Sequence, residues 1–280
     1  MNIINGKEIS NQIKEEIKEQ VLELKEKGVE ITLAVIQVGN NPASTVYVNN
    51  KKKACEFCGI KSLSYELEED ITENELIRLI NDLNNNDAIN GILVQLPLPK
   101  HIDENKILNE INPKKDVDGF HPMNVGNLNI GQKSFVSCTP AGVIELLKRS
   151  NIEISGKECV VIGRSNIVGK PMAALLLQEN GTVTICHSKT KDLKEITKRA
   201  DILVVAIGKP KFITSEYVKD GAVVIDVGIH RMDNGKLCGD VDFDDVSTKC
   251  SAITPVPGGV GVMTVTMLMK NCLDSVQFAK

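Results

Sequence analysis

Lys51 is a cation placed where the helix pattern of residues 45–59 calls for an apolar residue. At ~100° per residue, one stripe of that predicted helix contains Tyr47, Lys51, Ala54, Cys55 and Cys58. Lys52 and Lys53 point away from the stripe and can reach water. A lysine held against a packed face is a candidate for proton transfer, whereas a lysine that snorkels to solvent is not. Snorkelling is the commoner arrangement, so this segment alone favours it.

Two further polar residues stand at positions suited to a ligand. Gln95 lies near the carboxyl end of a predicted parallel strand, where ligands of α/β proteins usually bind. Asp118 lies in KDVDG at 115–119, with a glycine after it that permits close approach. Asp116 and Asp118 could form a metal pair, but a D-x-D-G loop without further acids is weak evidence for calcium. A plain turn is the alternative for both aspartates.

Residues 158–171 read ECVVIGRSNIVGKP, which predicts a strand, a glycine-containing turn and a helix. Such a turn lets the backbone approach a pyrophosphate at the helix N-terminus. The spacing is neither G-x-G-x-x-G nor a Walker loop, because five residues separate Gly163 from Gly169 and Pro171 follows Lys170. This disfavours phosphoryl transfer. The alternative is an ordinary βα turn whose glycines serve packing.

The next predicted strand indicates which dinucleotide would bind. NAD-binding folds commonly place an acid near the end of the second strand, to bind the ribose 2′-hydroxyl. Here residues 186–189 read CHSK, without an acid, while Arg164 and Ser165 in the first turn could meet a 2′-phosphate. The pattern favours NADP over NAD. His187 and Lys189 have the simpler interpretation of polar residues at a strand end.

These residues fall within two series of alternating strands and helices. Strands are predicted at 32–38, 62–67, 91–96, 158–162, 182–186, 201–207 and 222–227. Helices are predicted from Ile9 to Leu24, across 45–59, from a Thr72–Glu75 capping box to Leu83, at 140–149 and at about 263–278. We expect two α/β/α domains with mainly parallel sheets, the second Rossmann-like, with a cleft between them.

The expected first domain is 1–118 together with the C-terminal helix at about 263–280, and the second is 119–262. Between them, 112–131 is rich in Gly and Asn and is predicted to be an irregular connection.

Composition narrows the protein class. The 280 residues are 42% hydrophobic but only 3% aromatic, which indicates a globular protein with an aliphatic core. A net charge of −4 gives no basic field to recruit nucleic acid, and short clusters such as Lys114–Lys115 are expected to be solvated. The start has no secretory-signal pattern, and the longest apolar runs are too short to span a bilayer. We therefore expect no membrane partner.

The eight cysteines lie mostly in apolar contexts and are interpreted as reduced, packed thiols of a cytosolic protein. Cys55-x-x-Cys58 matches half of a redox or metal motif, but it lies inside the predicted helix. No second cysteine pair or paired histidine completes a zinc site, so a structural role is favoured.

Six segments together resemble the bifunctional methylenetetrahydrofolate dehydrogenase/cyclohydrolase family. They are NPASTVYVNNKKKAC (41–55), GILVQLPLP (91–99), KDVDGFHP (115–122), GRSNIVGKP (163–171), TVTICHSKT (182–190) and PVPGGVG (255–261). They occur in family order along almost the whole chain. The resemblance implies NADP-dependent oxidation of methylenetetrahydrofolate, hydrolysis of the methenyl product to 10-formyltetrahydrofolate, and a homodimer.

Carried over by position, the resemblance makes Lys51 the catalytic lysine, with Gln95 as its hydrogen-bonding partner. Tyr47 would orient the folate and Asp118 would anchor the pterin ring. The implied substrate-binding set is Tyr47, Lys51, Gln95, Leu96, Asp118, Pro255, Gly258 and Gly259. The implied cofactor-binding set is Gly163, Arg164, Ser165, Ile167, Ser188, Gly208 and Ile229, with no metal. One departure is Val262, where the family usually has a proline; valine restores a backbone N–H and frees φ.

Three alternatives remain open at this point. Spacing alone would also fit a dehydrogenase acting on a hydroxy acid or a shikimate-like ring, although that leaves the Tyr47, Lys51, Gln95 and Asp118 set unexplained. A monofunctional NAD(P)-dependent methylenetetrahydrofolate dehydrogenase is the nearer rival. A non-catalytic NADP-binding regulator on the same fold is the third.

Overall fold

The computed structural model describes residues 1–278, without the side chains of residues 42–44 and 278. In chain order its elements are β1 (Asn2–Ile3), α1 (Gly6–Glu26), β2 (Thr32–Val38), α2 (Pro42–Cys58), β3 (Lys61–Leu67), α3 (Glu73–Asn84), β4 (Gly91–Val94), α4 (Glu104–Glu110), α5 (Pro122–Asn129), α6 (Cys138–Arg149), β5 (Glu158–Ile162), α7 (Gly169–Gln178), β6 (Thr182–Cys186), α8 (Leu193–Thr197), β7 (Ile202–Val205), a 3-10 turn (Ser215–Tyr217), β8 (Val223–Asp226), β9 (His230–Arg231), β10 (Leu237–Cys238), α9 (Phe243–Val246), β11 (Ala252–Ile253) and α10 (Val260–Phe278).

The chain divides into two compact units. The first unit contains Gln12–Val136 and the chain from Val265 onward, and the second contains Met1–Asn11 and Ser137–Thr264. Residues 1–11 lie in the second unit because β1 pairs with β11 there. Residues 119–136 lie in the first, where the Asn271 amide of α10 donates to the Val136 carbonyl at 3.0 Å. Both placements differ from the boundaries that the sequence predicts.

The first unit is built on a parallel sheet of order β3-β2-β4. All seven residues of β2 are buried, which is why this central strand is apolar on both faces except at Thr32 and Gln37. Helix α3 begins at the predicted capping box: the Thr72 side chain accepts from the Glu75 N–H, and the Glu75 carboxylate accepts from the Thr72 N–H. Leu76, Ile80 and Leu83 of α3 are buried in the core of this unit.

The second unit contains a parallel sheet of order β1-β11-β8-β7-β5-β6. From β5 the chain first adds β6 on one side and then β7 on the other, so the topological switch point lies between β5 and β7. In open parallel sheets of this kind, ligands bind outside the carboxyl ends of the strands at that point. The predicted α/β class with mainly parallel sheets is confirmed.

Several predictions about elements need correction. Strands β7 and β8 are shorter than the predicted 201–207 and 222–227. Strand β4 ends at Val94 instead of residue 96, and Pro97, which follows shortly after, has no N–H to donate to a neighbouring strand. The stretch 112–131 is not irregular throughout, because it contains α5. Pro122 occupies the first turn of α5, and the His121 ring nitrogen Nδ1 accepts from the Met123 N–H.

Candidate active site

Lys51 is the buried member of the three consecutive lysines in α2. Only 9% of its surface is exposed, and its Nζ donates to Gln95 Oε1 at 3.0 Å. Lys52 instead forms an ion pair with Glu66 at 3.0 Å, and Lys53 is exposed. The ammonium is therefore held by an amide, and the snorkelling interpretation is wrong.

The rest of the predicted stripe is packed, with one exception. Ala54, Cys55 and Cys58 are buried, whereas Tyr47, one turn before Lys51, is 45% exposed. Burial raises the pKa of the Cys55 thiol to about 12 and that of Cys58 to about 11, which makes both poor metal ligands and poor nucleophiles. The structural role predicted for the Cys55–Cys58 pair fits this environment.

Gln95 is held by its backbone N–H and by both ends of its side-chain amide. Its backbone N–H donates to the Ile36 carbonyl at 2.8 Å, which continues the sheet ladder beyond the end of β4. Its Nε2 donates to the Leu96 carbonyl at 2.7 Å, which leaves Oε1 directed at Lys51. A neutral amide holds the lysine without adding a second charge to the site.

A residue that the sequence analysis did not single out positions the start of α2. Gln37, on the fully buried strand β2, donates from Nε2 to the Gly39 carbonyl and to Thr45 Oγ1, both at 3.1 Å. These bonds tie the turn after β2 to the helix that carries Tyr47 and Lys51. The available signal was a glutamine inside an otherwise apolar parallel strand, where a polar group needs partners.

Asp116 anchors the loop that carries Asp118. The Asp116 side chain is 1% exposed and accepts from Asn124 Nδ2 at 2.9 Å and from the His121 N–H at 2.8 Å. Burial raises the pKa of Asp116. Asp118 is half-buried, and Gly119 turns the chain with a φ of 71°. Within residues 1–278 no group of three His, Cys, Asp or Glu side chains could hold a metal.

Lys115 is not simply solvated, which differs from the expectation for the Lys114–Lys115 cluster. Its Nζ donates to three carbonyls at the end of α3, those of Leu83, Asn84 and Asn86, at 2.8–3.0 Å. Burial lowers the pKa of Lys115. The cation caps the helix and fixes the start of the loop before Asp116 and Asp118.

In the second unit, the glycines of the turn after β5 are required by close packing. Gly163 has a φ of 137°, and a Cβ there would collide with the Ala206 carbonyl oxygen at the end of β7. A Cβ on Gly169 would collide with the Gly163 carbonyl oxygen. The turn is thus packed closely against the end of β7 at the switch point and leads into the N-terminus of α7, the place where folds of this kind bind a pyrophosphate.

Ser165 forms the cap of α7. Its Oγ accepts from the Val168 N–H at 3.1 Å and the Gly169 N–H at 3.3 Å, and the hydroxyl can still donate its own proton. Arg164 and Ile167 are exposed on the same turn, and Ser137 Oγ donates to the Ile167 carbonyl at 2.5 Å. The turn therefore offers a cation, a hydroxyl donor and an apolar surface.

The remaining predicted cofactor positions follow the other strands of this sheet. Ser188 is exposed after β6, in a turn where His187 Nδ1 accepts from the Lys189 N–H at 3.1 Å. Gly208, with a φ of 69°, follows β7. Ile229 follows β8 and is 43% exposed.

The glycine-rich loop before α10 lies against the start of the chain, within the second unit. The Lys7 N–H donates to the Gly258 carbonyl at 3.0 Å, and a Cβ on Gly6 would collide with the Gly259 carbonyl oxygen. The loop also contains Pro255. Helix α10 begins at Val260, so Val262 lies in its first turn, where either valine or proline can be accommodated.

Sequence profiles now decide the family. The catalytic-domain profile of tetrahydrofolate dehydrogenase/cyclohydrolase matches residues 4–118, and the profile of its NAD(P)-binding domain matches residues 137–280. The chain belongs to the tetrahydrofolate dehydrogenase/cyclohydrolase family. This membership confirms the resemblance and decides against a dehydrogenase of hydroxy acids.

Similar proteins agree with this family over their full length. The bifunctional protein FolD of Lachnoclostridium phytofermentans is 73% identical over 97% of this chain and 96% of its own. The crystal structure of the bifunctional FolD of Campylobacter jejuni is 56% identical, with a TM-score of 0.98 and full coverage of both chains. The Trypanosoma brucei FolD complexed with NADP cofactor and inhibitor is 42% identical, with a TM-score of 0.93 over 99% and 97% of the two chains.

Proposed function

We propose that the protein oxidises 5,10-methylenetetrahydrofolate with NADP and then hydrolyses the 5,10-methenyl product to 10-formyltetrahydrofolate. The family is named for both activities, and the similar FolD proteins are described as bifunctional. The observation that carries the proposal is the buried ammonium of Lys51 held at 3.0 Å by a neutral amide, on a helix face shared with an exposed tyrosine.

The second unit would hold the cofactor. We assign cofactor contacts to Gly163, Arg164, Ser165, Ile167, Ser188, Gly208 and Ile229. The glycine turn at the switch point and the exposed polar side chains of Arg164 and Ser165 fit a dinucleotide. NADP, when bound, accepts the hydride that leaves the one-carbon bridge of the folate. For that step the protein mainly has to hold two ligands in the correct orientation.

NADP rather than NAD is supported by the charges around β6. The turn after β6 contains His187, Ser188 and Lys189, without a carboxylate that could bind a ribose 2′-hydroxyl. The guanidinium of Arg164 is exposed on the neighbouring turn, where it can pair with a phosphate. The trypanosomal relative was solved with NADP.

Hydrolysis is assigned to the first unit. Lys51 would move the protons that are needed to activate water and to release the opened product. Gln95 orients the lysine, the half-exposed ring of Tyr47 stacks on the folate, and Asp118 anchors the pterin through a carboxylate. Leu96, Pro255, Gly258 and Gly259 complete the proposed folate contacts.

Three broader assignments are proposals of the same kind. Folate binding is assigned to residues 1–118 with the helix at about 263–280, and NADP binding to residues 119–262. The family resemblance supports a homodimer. A cytoplasmic location is supported by the eight cysteines, all of them free thiols. No helix within residues 1–278 is long and apolar enough to cross a membrane.

One assay tests the proposal against both rivals. The protein is mixed with methylenetetrahydrofolate and either NADP or NAD, while NADPH or NADH formation and the methenyl absorbance are followed together. We expect NADPH to form and the methenyl signal to rise and then decay. A methenyl signal that decays no faster with the protein than without it would indicate a monofunctional dehydrogenase. Binding of NADPH without turnover would indicate a regulator.

A further inference from the structure

Asp240 is a fully buried carboxylate to which four donors converge. Its Oδ2 accepts from the N–H groups of Ile207 at 2.7 Å and Gly208 at 3.0 Å. Its Oδ1 accepts from the Lys209 N–H at 2.8 Å, and His230 Nε2 lies 2.7 Å from the same oxygen. Because a carboxylate oxygen only accepts, the His230 ring is the donor in this last bond.

The four donors come from two loops at the cofactor-binding edge of the sheet. Ile207, Gly208 and Lys209 are consecutive residues of the turn after β7, beside the switch point. His230 follows the neighbouring strand β8 and comes directly after Ile229. Asp240 belongs to neither loop, so its single side chain joins both to a third segment of the chain.

A second buried carboxylate fixes the backbone of Asp240. Asp226, at the end of β8, accepts from the N–H groups of Asp240 at 2.9 Å, Val241 at 3.0 Å and Gly228 at 2.9 Å. Glycines leave the space for this arrangement. A Cβ on Gly228 would lie 2.5 Å from Asp240 Cγ, and a Cβ on Gly239 would collide with Asp226 Oδ2.

One of the loops is also packed against the start of α10. A Cβ on Gly261 would lie 2.5 Å from Ile229 Cδ1, so the Ile229 side chain rests directly on the helix backbone. Ile229 is thus held on one side by Gly261 and through its neighbour His230 by Asp240. These two contacts hold the exposed part of the Ile229 side chain in place.

We propose that Asp240 is a positioning residue for NADP binding, which it supports by holding the loop of Gly208 and the loop of Ile229 in the conformation that the cofactor requires. The inference rests on the proposed function, in which Gly208 and Ile229 are NADP contacts. Asp240 acts through these loops and contacts no substrate itself. Its His230 partner makes the same contribution from the side of β8.

The chemistry of the site calls for a carboxylate. Four donors approach two oxygens, and asparagine would replace one oxygen with an NH₂ group that meets two of those donors head-on. Buried donors left without acceptors are unfavourable, and the loops can relieve this by moving away from Asp240. Such a movement displaces Gly208 or Ile229.

The test compares NADPH affinity with cyclohydrolase turnover in the full-length protein. The variants are Asp240→Asn, His230→Leu, His230→Gln, which retains a donor, and the control Asp233→Asn in the exposed β9–β10 turn. Calorimetry with NADPH should give a Kd raised roughly tenfold in Asp240→Asn and His230→Leu, with His230→Gln and the control close to wild type. The dehydrogenase kcat/KM for NADP should fall by more than the cofactor-free cyclohydrolase rate.

The outcomes separate this inference from the proposed function. A folded Asp240→Asn with wild-type NADPH affinity would overturn the positioning role, and so would an equal loss of both activities. If Asp240→Asn does not fold, the two His230 variants test the inference instead. Equal NADPH affinities in His230→Leu and His230→Gln would contradict it. A wild-type protein that binds no NADPH would overturn the proposed function and the inference together.

Discussion

At the residue scale, buried charged groups are held in two different ways. The Lys51 ammonium has a neutral partner in Gln95, whereas Asp226 and Asp240 gather backbone N–H groups. A neutral partner leaves a titratable group able to exchange a proton, while a ring of donors fixes a structure. The first arrangement suits catalysis and the second suits the positioning of loops.

Replacing the neutral partner tests this distinction. In Gln95→Glu a carboxylate would stand at hydrogen-bonding distance from Lys51 Nζ and bind it as an ion pair. We expect the cyclohydrolase rate to fall at least tenfold, because a lysine held in an ion pair exchanges protons with the substrate less readily. The rate of methenyltetrahydrofolate hydrolysis measures the loss. A wild-type rate in Gln95→Glu would show that the neutral partner of Lys51 is not required.

Asp226 makes a prediction about stability and pH. Burial raises the pKa of Asp226 from its usual 3.8 to about 6, although three backbone N–H groups favour the carboxylate. Between these values the folded protein keeps a proton that the unfolded chain has lost. This group therefore reduces the free energy of unfolding as pH rises from about 4 to 6, by roughly 3 kcal/mol in total.

Urea denaturation between pH 4 and 7 measures that contribution. Asp226→Asn should lack this decrease. As pH rises, the free energy of unfolding of Asp226→Asn should therefore increase relative to that of wild type. Asp233→Asn, an exposed aspartate of the same unit, should keep the wild-type slope. Parallel pH curves for wild type and Asp226→Asn would contradict the assignment.

At the element scale, the turn between β5 and α7 is shaped by contacts between backbones. Gly169→Ala would place a methyl group against the Gly163 carbonyl oxygen, and the turn could relieve the collision only by opening. We expect NADPH affinity to fall at least tenfold, with the cofactor-free cyclohydrolase rate reduced far less. Gly126→Ala, in α5 with open space around the added carbon, is the matched control. Equal NADPH affinities in the two variants would contradict this role of the turn.

The elements differ in how well the sequence predicts them. Strands β2, β5 and β6 are found at their predicted bounds, since turn residues bound each of them and long apolar or alternating runs mark them. The two-residue strands β1, β9, β10 and β11 are too short to show any periodicity. Helix α5 was missed because half of its eight residues are Gly or Asn, whose helix propensity is low.

The residues of the site also differ in how well the sequence predicts them. Helical periodicity alone selected Lys51 from three adjacent lysines, and the family resemblance supplied its partner Gln95. Gln37 and Asp240 could not be found in this way. Gln37 bonds to the Gly39 carbonyl and to the Thr45 hydroxyl. Asp240 accepts from main-chain N–H groups about 30 positions away, a relation that leaves no local pattern in the sequence.

At the scale of the whole molecule, the two reactions are assigned to groups from different units. In the proposed mechanism, hydride transfer would depend on the cofactor turn of the second unit, and hydrolysis would depend on Lys51 of the first. A substitution that impairs one reaction should therefore leave part of the other activity intact. This separability is the central claim of the account.

Lys51→Met tests that claim most directly, with Lys53→Met on the exposed side of the same helix as control. Methionine fills the buried site without a titratable group. We expect hydrolysis of methenyltetrahydrofolate to fall to about 1% of wild type, in line with the loss of a general acid–base group, while NADPH formation from methylenetetrahydrofolate is better preserved. Hydrolysis by Lys51→Met at the wild-type rate would contradict the account.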